Sequence, residues 1–87
     1  MRLELFTSAF CDPCHRARDV IAEAQRLVPA LVVDERDVAA HQSRAAELGI
    51  RSTPTTIIYD REGSELLRAE GVPTLPRLLT ALAQVID

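Results

Sequence analysis

The sequence contains two cysteines, Cys11 and Cys14, separated by Asp12-Pro13. Thiols at this spacing can both occupy the first turn of a helix, where unpaired backbone N–H groups and the positive end of the macrodipole favour a thiolate over a thiol. Such a pair can attack a disulfide with one sulfur and then close on that sulfur with the other. Cys11, nearer to solvent and to the free N–H groups, is expected to be the nucleophile, with a pKa below the ~8.5 of a free thiol. Cys14, one turn further in, is expected to be shielded and to resolve. Pro13 would hold the geometry of the pair and also start the helix. The Asp12 carboxylate opposes thiolate formation but is itself favoured at a helix N-terminus; the helix effect should dominate, leaving a moderately acidic thiol. The plain role for Asp12 is that of a capping residue.

The same string admits other chemistry. His15 completes a Cys-x-x-Cys-His pattern, which is also that of c-type haem attachment. A second axial ligand would have to be His41, because Met1 is the single methionine. Zinc could draw on Cys11, Cys14, His15 and His41, with suitable ligand types but poor spacing. The plain role of both histidines is an exposed helix surface. No metal and no resident cofactor are therefore expected.

The cysteines need a strand to deliver them and a helix to receive them. Arg2 to Phe6 reads as a strand and 7–10 as the turn into the motif. From Pro13 to Val28, Cys14, Ala17, Val20, Ile21, Ala24, Leu27 and Val28 recur at spacings of three and four, one buried helical face. Arg16, Asp19, Glu23 and Arg26 form the solvated face, and Pro29 ends the helix. Leu31 to Arg36 is a second strand, which a right-handed crossover should place parallel to the first. Asp37 is a candidate N-cap for a thin, Ala-rich helix over 38–48, with Gly49 as its C-cap. Pro54 opens the β-rich run Thr55–Tyr59, a position that suits an edge of a strand. The loop 60–63 should turn the chain into an antiparallel strand over 64–69, which Gly71 breaks. Thr74 is a candidate N-cap for a last helix with Pro76 in its first turn and Leu75, Leu78, Leu79, Leu82, Val85 and Ile86 as its stripe.

Eighty-seven residues suit one domain over 1–87. A chain of this size buries roughly 60–65 % of its surface, which leaves little room to enclose a large cofactor. Net charge is −3, with ten basic residues, all arginine, against thirteen acids. They are spread without a basic block, so a nucleic-acid partner is not expected. No apolar run approaches membrane-spanning length and no leader pattern precedes the first strand, so membrane association is not expected and the cytoplasm is the expected compartment. A reducing compartment makes the thiols catalytic or metal-binding rather than a structural bridge.

The order β-α-β-α-β-β-α, with Cys11-Asp12-Pro13-Cys14 after the first strand, Gly49-Ile50-Arg51-Ser52-Thr53-Pro54-Thr55 before the third and Gly71 after the last, resembles the thioredoxin family across essentially the whole chain. The resemblance implies an α/β fold, a minimal thioredoxin fold whose four-stranded mixed sheet has the order 2-1-3-4, with helices flanking it. It implies that Pro54 is cis and faces the cysteines, that Thr53 offers its backbone to an extended substrate segment, and that Gly71 borders this groove. The implied activity is that of a thiol-disulfide oxidoreductase acting on protein disulfides in cell redox homeostasis. It would act as a monomer, reduced by a thioredoxin-reductase-like flavoenzyme or by glutathione.

Departures from the family pattern accompany the match. Asp12 replaces glycine, Phe10 stands for tryptophan and keeps only an apolar platform, and Leu5 occupies the place of a buried aspartate. Without that acid, and with no lysine in the chain, resolution by Cys14 should be slow. Gly71-Val72-Pro73-Thr74 lacks the glutathione-binding features of the related glutaredoxins. Arg16 and Arg51 could meet an anionic substrate, though solvated surface is their plain role. A thioredoxin-like interaction module without turnover is the rival reading; it would need neither both cysteines, nor Pro13, nor Thr53-Pro54.

Overall fold

A computed structural model describes residues 1–85. The elements in chain order are β1 (Arg2–Thr7), α1 (Asp12–Leu27), β2 (Val32–Asp37), α2 (Gln42–Leu48), β3 (Thr55–Tyr59), β4 (Glu65–Glu70) and α3 (Leu75–Ala83). The four strands form one sheet in the order β2-β1-β3-β4. β1 runs parallel to β2 and antiparallel to β3, and β4 is antiparallel to β3. This is the mixed sheet and the order of elements expected from the resemblance.

Alternation along the central strands divides the core into two layers. Leu3, Leu5 and Ile58 face α1 and α3, where they cluster with Ala17, Ile21, Ala24, Leu78, Ala81 and Leu82. Phe6, Ile57 and Tyr59 face the other way and pack against Ala45 of α2, with Val38, Leu48 and Ile50 around them. α1 and α3 thus share one face and α2 covers the other. Both faces of β3 are covered, which is why all five of its residues are buried and why it reads as a continuous β-branched run.

The second helix is shorter than its expected span over 38–48. Asp37 is not its N-cap: Asp37 ends β2, and its Oδ1 accepts the Ala39 N–H at 2.8 Å. The Val38 N–H meanwhile donates to the Thr7 carbonyl at 2.9 Å, continuing the β1–β2 ladder. Residues 38–40 form a turn of their own, in which the Ala40 and His41 N–H groups both donate to the Asp37 carbonyl, so α2 starts only after His41, which offers no side-chain cap. Gly49 does close it, at φ 68°, a left-handed C-cap that lets the Ile50 N–H reach the Ala45 carbonyl at 2.9 Å.

Thr74 caps α3 by accepting the Arg77 N–H. On α1, Leu27 is 56 % exposed rather than buried, since it lies in the last residue of the helix and Val28 takes the partly buried position beyond it. Ile86, expected in the α3 stripe, lies outside the described residues. Among the described residues no helix is long and apolar enough to cross a membrane.

Candidate active site at the start of helix α1

The chain leaves β1 at Thr7 and reverses into α1 within four residues. Phe10 makes the reversal possible at φ 57°, the only non-glycine residue with positive φ among the described residues, and its side chain is fully exposed. Cys11 then takes an extended conformation and occupies the N-cap position itself. Its Sγ accepts the Cys14 N–H at 3.2 Å, the bond usually made by a serine or aspartate oxygen. Asp12 is therefore not the cap; it is the first residue of the helix, exposed, and Pro13 follows in the first turn.

Cys11 and Cys14 are joined in a disulfide, with Cα atoms 5.3 Å apart. The two sulfurs are not equivalent. Cys11 is partly exposed, whereas Cys14 is 1 % exposed and lies beneath the first turn.

The loop before β3 comes to the same end of the sheet, because Phe6 pairs with Thr55 and Thr55 with Glu70. The Thr53–Pro54 peptide bond is cis. Ser8, in the turn that leads to Cys11, lies 2.6 Å from Thr53, hydroxyl to hydroxyl. The Pro54 carbonyl accepts the Gly71 N–H at 2.9 Å, and Gly71 turns the chain at φ 87°. The Thr55 hydroxyl donates to the Ser52 carbonyl at 2.7 Å. One set of bonds thus links the cysteine turn, Thr53, Pro54 and Gly71, all of them sites expected from the sequence. Arg51 is 3.4 Å from Glu70 at the surface and Arg16 is exposed.

The model of the thioredoxin-like domain matches residues 3–86. The chain belongs to the thioredoxin-like family. A thioredoxin of Methanocaldococcus jannaschii is 36% identical to it over 59 residues, 67% of this chain and 69% of that one. Thioredoxin 1 of Thermosipho africanus shares the fold with a TM-score of 0.81 at 21% identity, over 97% of this chain and 92% of the other. A thioredoxin of Nicotiana alata does so with a TM-score of 0.84 at 21% identity, over 99% of this chain and 73% of the other. Family membership and the Cys11–Cys14 pair support thiol-disulfide oxidoreductase chemistry in general.

Two polar networks in this thioredoxin-like chain carry no signal in a motif. Arg18 of α1 grips both carboxylate oxygens of Glu35 on β2, each at 2.7 Å, and the Thr7 hydroxyl donates to the same carboxylate at 3.4 Å. The Arg18 hydrogen bonds hold the Glu35 carboxyl below the usual range. His15 Nδ1 is 3.1 Å from Arg18, so this exposed histidine belongs to the same group. Among the described residues, no group of three or more His, Cys, Asp or Glu side chains could hold a metal ion.

The second network centres on Glu4, which is wholly buried on the α2 face of β1. Tyr59 donates to it at 2.6 Å, Arg36 at 2.5 Å and Arg44 at 2.8 Å. Burial raises the carboxyl pKa, but hydrogen bonds from Arg44, Tyr59 and Arg36 outweigh it and leave the group at about 2. Tyr59, buried and bonded to that carboxylate, is pushed up to about 12. A lone acid between Leu3 and Leu5 was the available signal, since any face it occupies in a central strand is dry.

Glu4 does not replace the missing aspartate. Successive strand residues point to opposite faces, so Glu4 lies across the sheet from the layer that Leu5 enters with α1.

Proposed function

We propose that this protein reduces disulfides of other proteins by thiol-disulfide exchange, with Cys11 as the attacking thiol and Cys14 as the resolving one. The observation that carries the reading is the asymmetry of the pair at the helix N-cap: the partly exposed cysteine is the one whose sulfur receives a backbone N–H. On reduction that same N–H faces a Cys11 thiolate, and a hydrogen bond to an anion is about twice as strong as a neutral one. The Cys11 thiolate attacks a substrate sulfur, the substrate's other sulfur departs with the electron pair, and a mixed disulfide forms. Cys14 then attacks Cys11, expelling the second substrate sulfur and restoring the internal disulfide. Holding Cys14 one turn away makes this step intramolecular.

Phe10 supplies an exposed apolar surface beside Cys11, and the Thr53 backbone at the cis-Pro54 corner receives an extended substrate segment as an added strand. Gly71, bonded to Pro54, closes that groove. Pro13 stiffens the turn between the cysteines, and Asp12 tempers the acidity of Cys11. The cycle needs an external reductant, either a thioredoxin-reductase-like flavoenzyme or glutathione, and fits a reducing cytoplasm. The protein works as a single domain and a monomer.

A redox titration in dithiol/disulfide buffers, read by alkylation and mass, tests the reading. A reversible two-electron transition of Cys11 and Cys14 in the cytosolic range is expected. Thiols that never pair would leave only an interaction module.

A further inference from the structure

Thr56 Oγ1 is a buried side-chain polar atom without a hydrogen-bond partner among the described residues. The residue is 0 % exposed and sits in the middle of β3, opposite Leu5 of β1 and Ala69 of β4. Its face follows from its neighbours. Ile58, two residues on, packs in the layer with α1 and α3, whereas Ile57 and Tyr59 pack against α2. Thr56 therefore enters the layer that holds α1.

Its level along the sheet follows from the direction of α1. That helix starts just beyond the C-terminal end of β1 and runs back over it, so Ile21 and Ala24 lie toward the start of β1 and Cys14 toward its end. By that direction the second half of β1, with Leu5 and Thr7, runs toward the first turns of α1, and Thr56 is beside Leu5. A hydroxyl left unpaired in an apolar layer is destabilising, and a sulfur that becomes an acceptor would relieve it.

We propose that Thr56 hydrogen-bonds the Cys14 sulfur once the disulfide is opened and stabilises its thiolate for the resolving step. The proposal rests on the function read above and deepens it. In the mixed disulfide Cys14 carries a proton and must shed it to attack. With the Thr56 O–H donating to the sulfur, the Cys14–Cys11 bond forms as the Cys11–substrate bond breaks, and the departing substrate thiolate takes up a proton equal to the one Cys14 lost. No further oxidant, acid or base enters the balance.

Other groups in reach are committed or absent. From β1, Leu3 and Leu5 are apolar and the Thr7 hydroxyl donates to Glu35. From β2, Glu35 is held by Arg18 of α1. Arg68 and Glu70 of β4 pair with Ile57 and Thr55, on the α2 face. From α3, Leu78, Ala81 and Leu82 face the layer. Asp12, His15 and Arg16 of α1 are exposed.

The experiment mixes reduced protein with a chromogenic aryl disulfide and follows release of coloured thiolate by stopped flow. Attack by Cys11 gives the first phase and closure by Cys14 the second. Thr56→Val, nearly isosteric, should leave the first phase unchanged, slow the second about tenfold and move its pH midpoint upward, as loss of a hydrogen bond to a charged sulfur requires. Thr56→Ser should restore both. An unchanged second phase in Thr56→Val overturns the proposal and leaves the hydroxyl to an internal water.

A wild-type protein without any second phase sinks the dithiol reading itself, so the two failures are distinguishable. In protein with an otherwise unsubstituted sequence, alkylated at Cys11 so that an uncharged thioether stands in for the mixed disulfide, the Thr56 γ-methyl resonance should titrate with the midpoint of the second phase. A resonance indifferent to pH overturns the proposal even if the valine variant does not fold.

Discussion

In the proposed cycle a sulfur at a helix N-cap serves both as cap and as nucleophile, because the Cys14 N–H that Cys11 accepts in the disulfide form can equally be accepted by its thiolate. Removing Cys14 leaves that arrangement intact and deletes only the resolving thiol. Cys14→Ser should therefore accumulate mixed disulfides through Cys11, visible as reductant-sensitive adducts by mass, while Cys11→Ser forms none. In the proposed function Phe10 serves binding rather than chemistry. Its left-handed backbone is as unfavourable for alanine as for phenylalanine, so Phe10→Ala should leave thermal stability within about 0.5 kcal/mol. The same change should lower kcat/KM for a protein disulfide several-fold, roughly the value of one exposed aromatic contact, and leave a small-molecule disulfide unaffected.

At the scale of elements, α1 is positioned by two attachments. Its apolar face meets Leu3 and Leu5 and the residues of α3, and Arg18 fastens its second turn to Glu35 of β2. Leu78 and Leu82 are the α3 side chains fully buried in that layer, and Leu78→Ala should cost about 2–5 kcal/mol, read as a lowered urea midpoint with unchanged slope. The periodicities of α1 and α3 were legible because each buries one wide stripe against the sheet. The start of α2 was not. Residues 38–40 form a separate turn closed on the Asp37 carbonyl and anchored by the ladder bond from Val38 to Thr7, a partner 31 residues away, and local propensity carries no information about such an anchor.

Across the whole molecule, Glu4 joins β1 to β2, α2 and β3 through Arg36, Arg44 and Tyr59. Its folded pKa of about 2 lies below the ordinary 4.5, so the network stabilises fully above pH 4.5 and less and less as pH falls toward 2. Such a shift corresponds to about 3 kcal/mol. Tyr59 acts with the opposite sign at the alkaline end: its pKa is raised from 10 to about 12, so its contribution is present below pH 10 and lost through 12. Urea midpoints measured against pH should show a plateau between these limits. Glu4→Gln should flatten most of the acid limb and lower the plateau by about 3 kcal/mol, because Arg36, Arg44 and Arg2, the last 3.6 Å from the carboxylate, lose their buried counter-charge.

By itself the sequence determined the cysteine pair, the order of elements, the apolar faces of α1 and α3 and the turn at Gly71, since each is set by neighbours within a few positions. Pro54 was legible as cis only through the family likeness of its segment. Tertiary structure alone decided that Cys11 rather than Asp12 caps α1, that Ser8 meets Thr53, that Glu4 gathers its arginines and that Thr56 is buried without a partner. The first turns on local backbone geometry at Cys11, and the others depend on strand register and on which face a residue enters. A one-residue change of register reverses every such face, and register is settled only when the whole sheet packs.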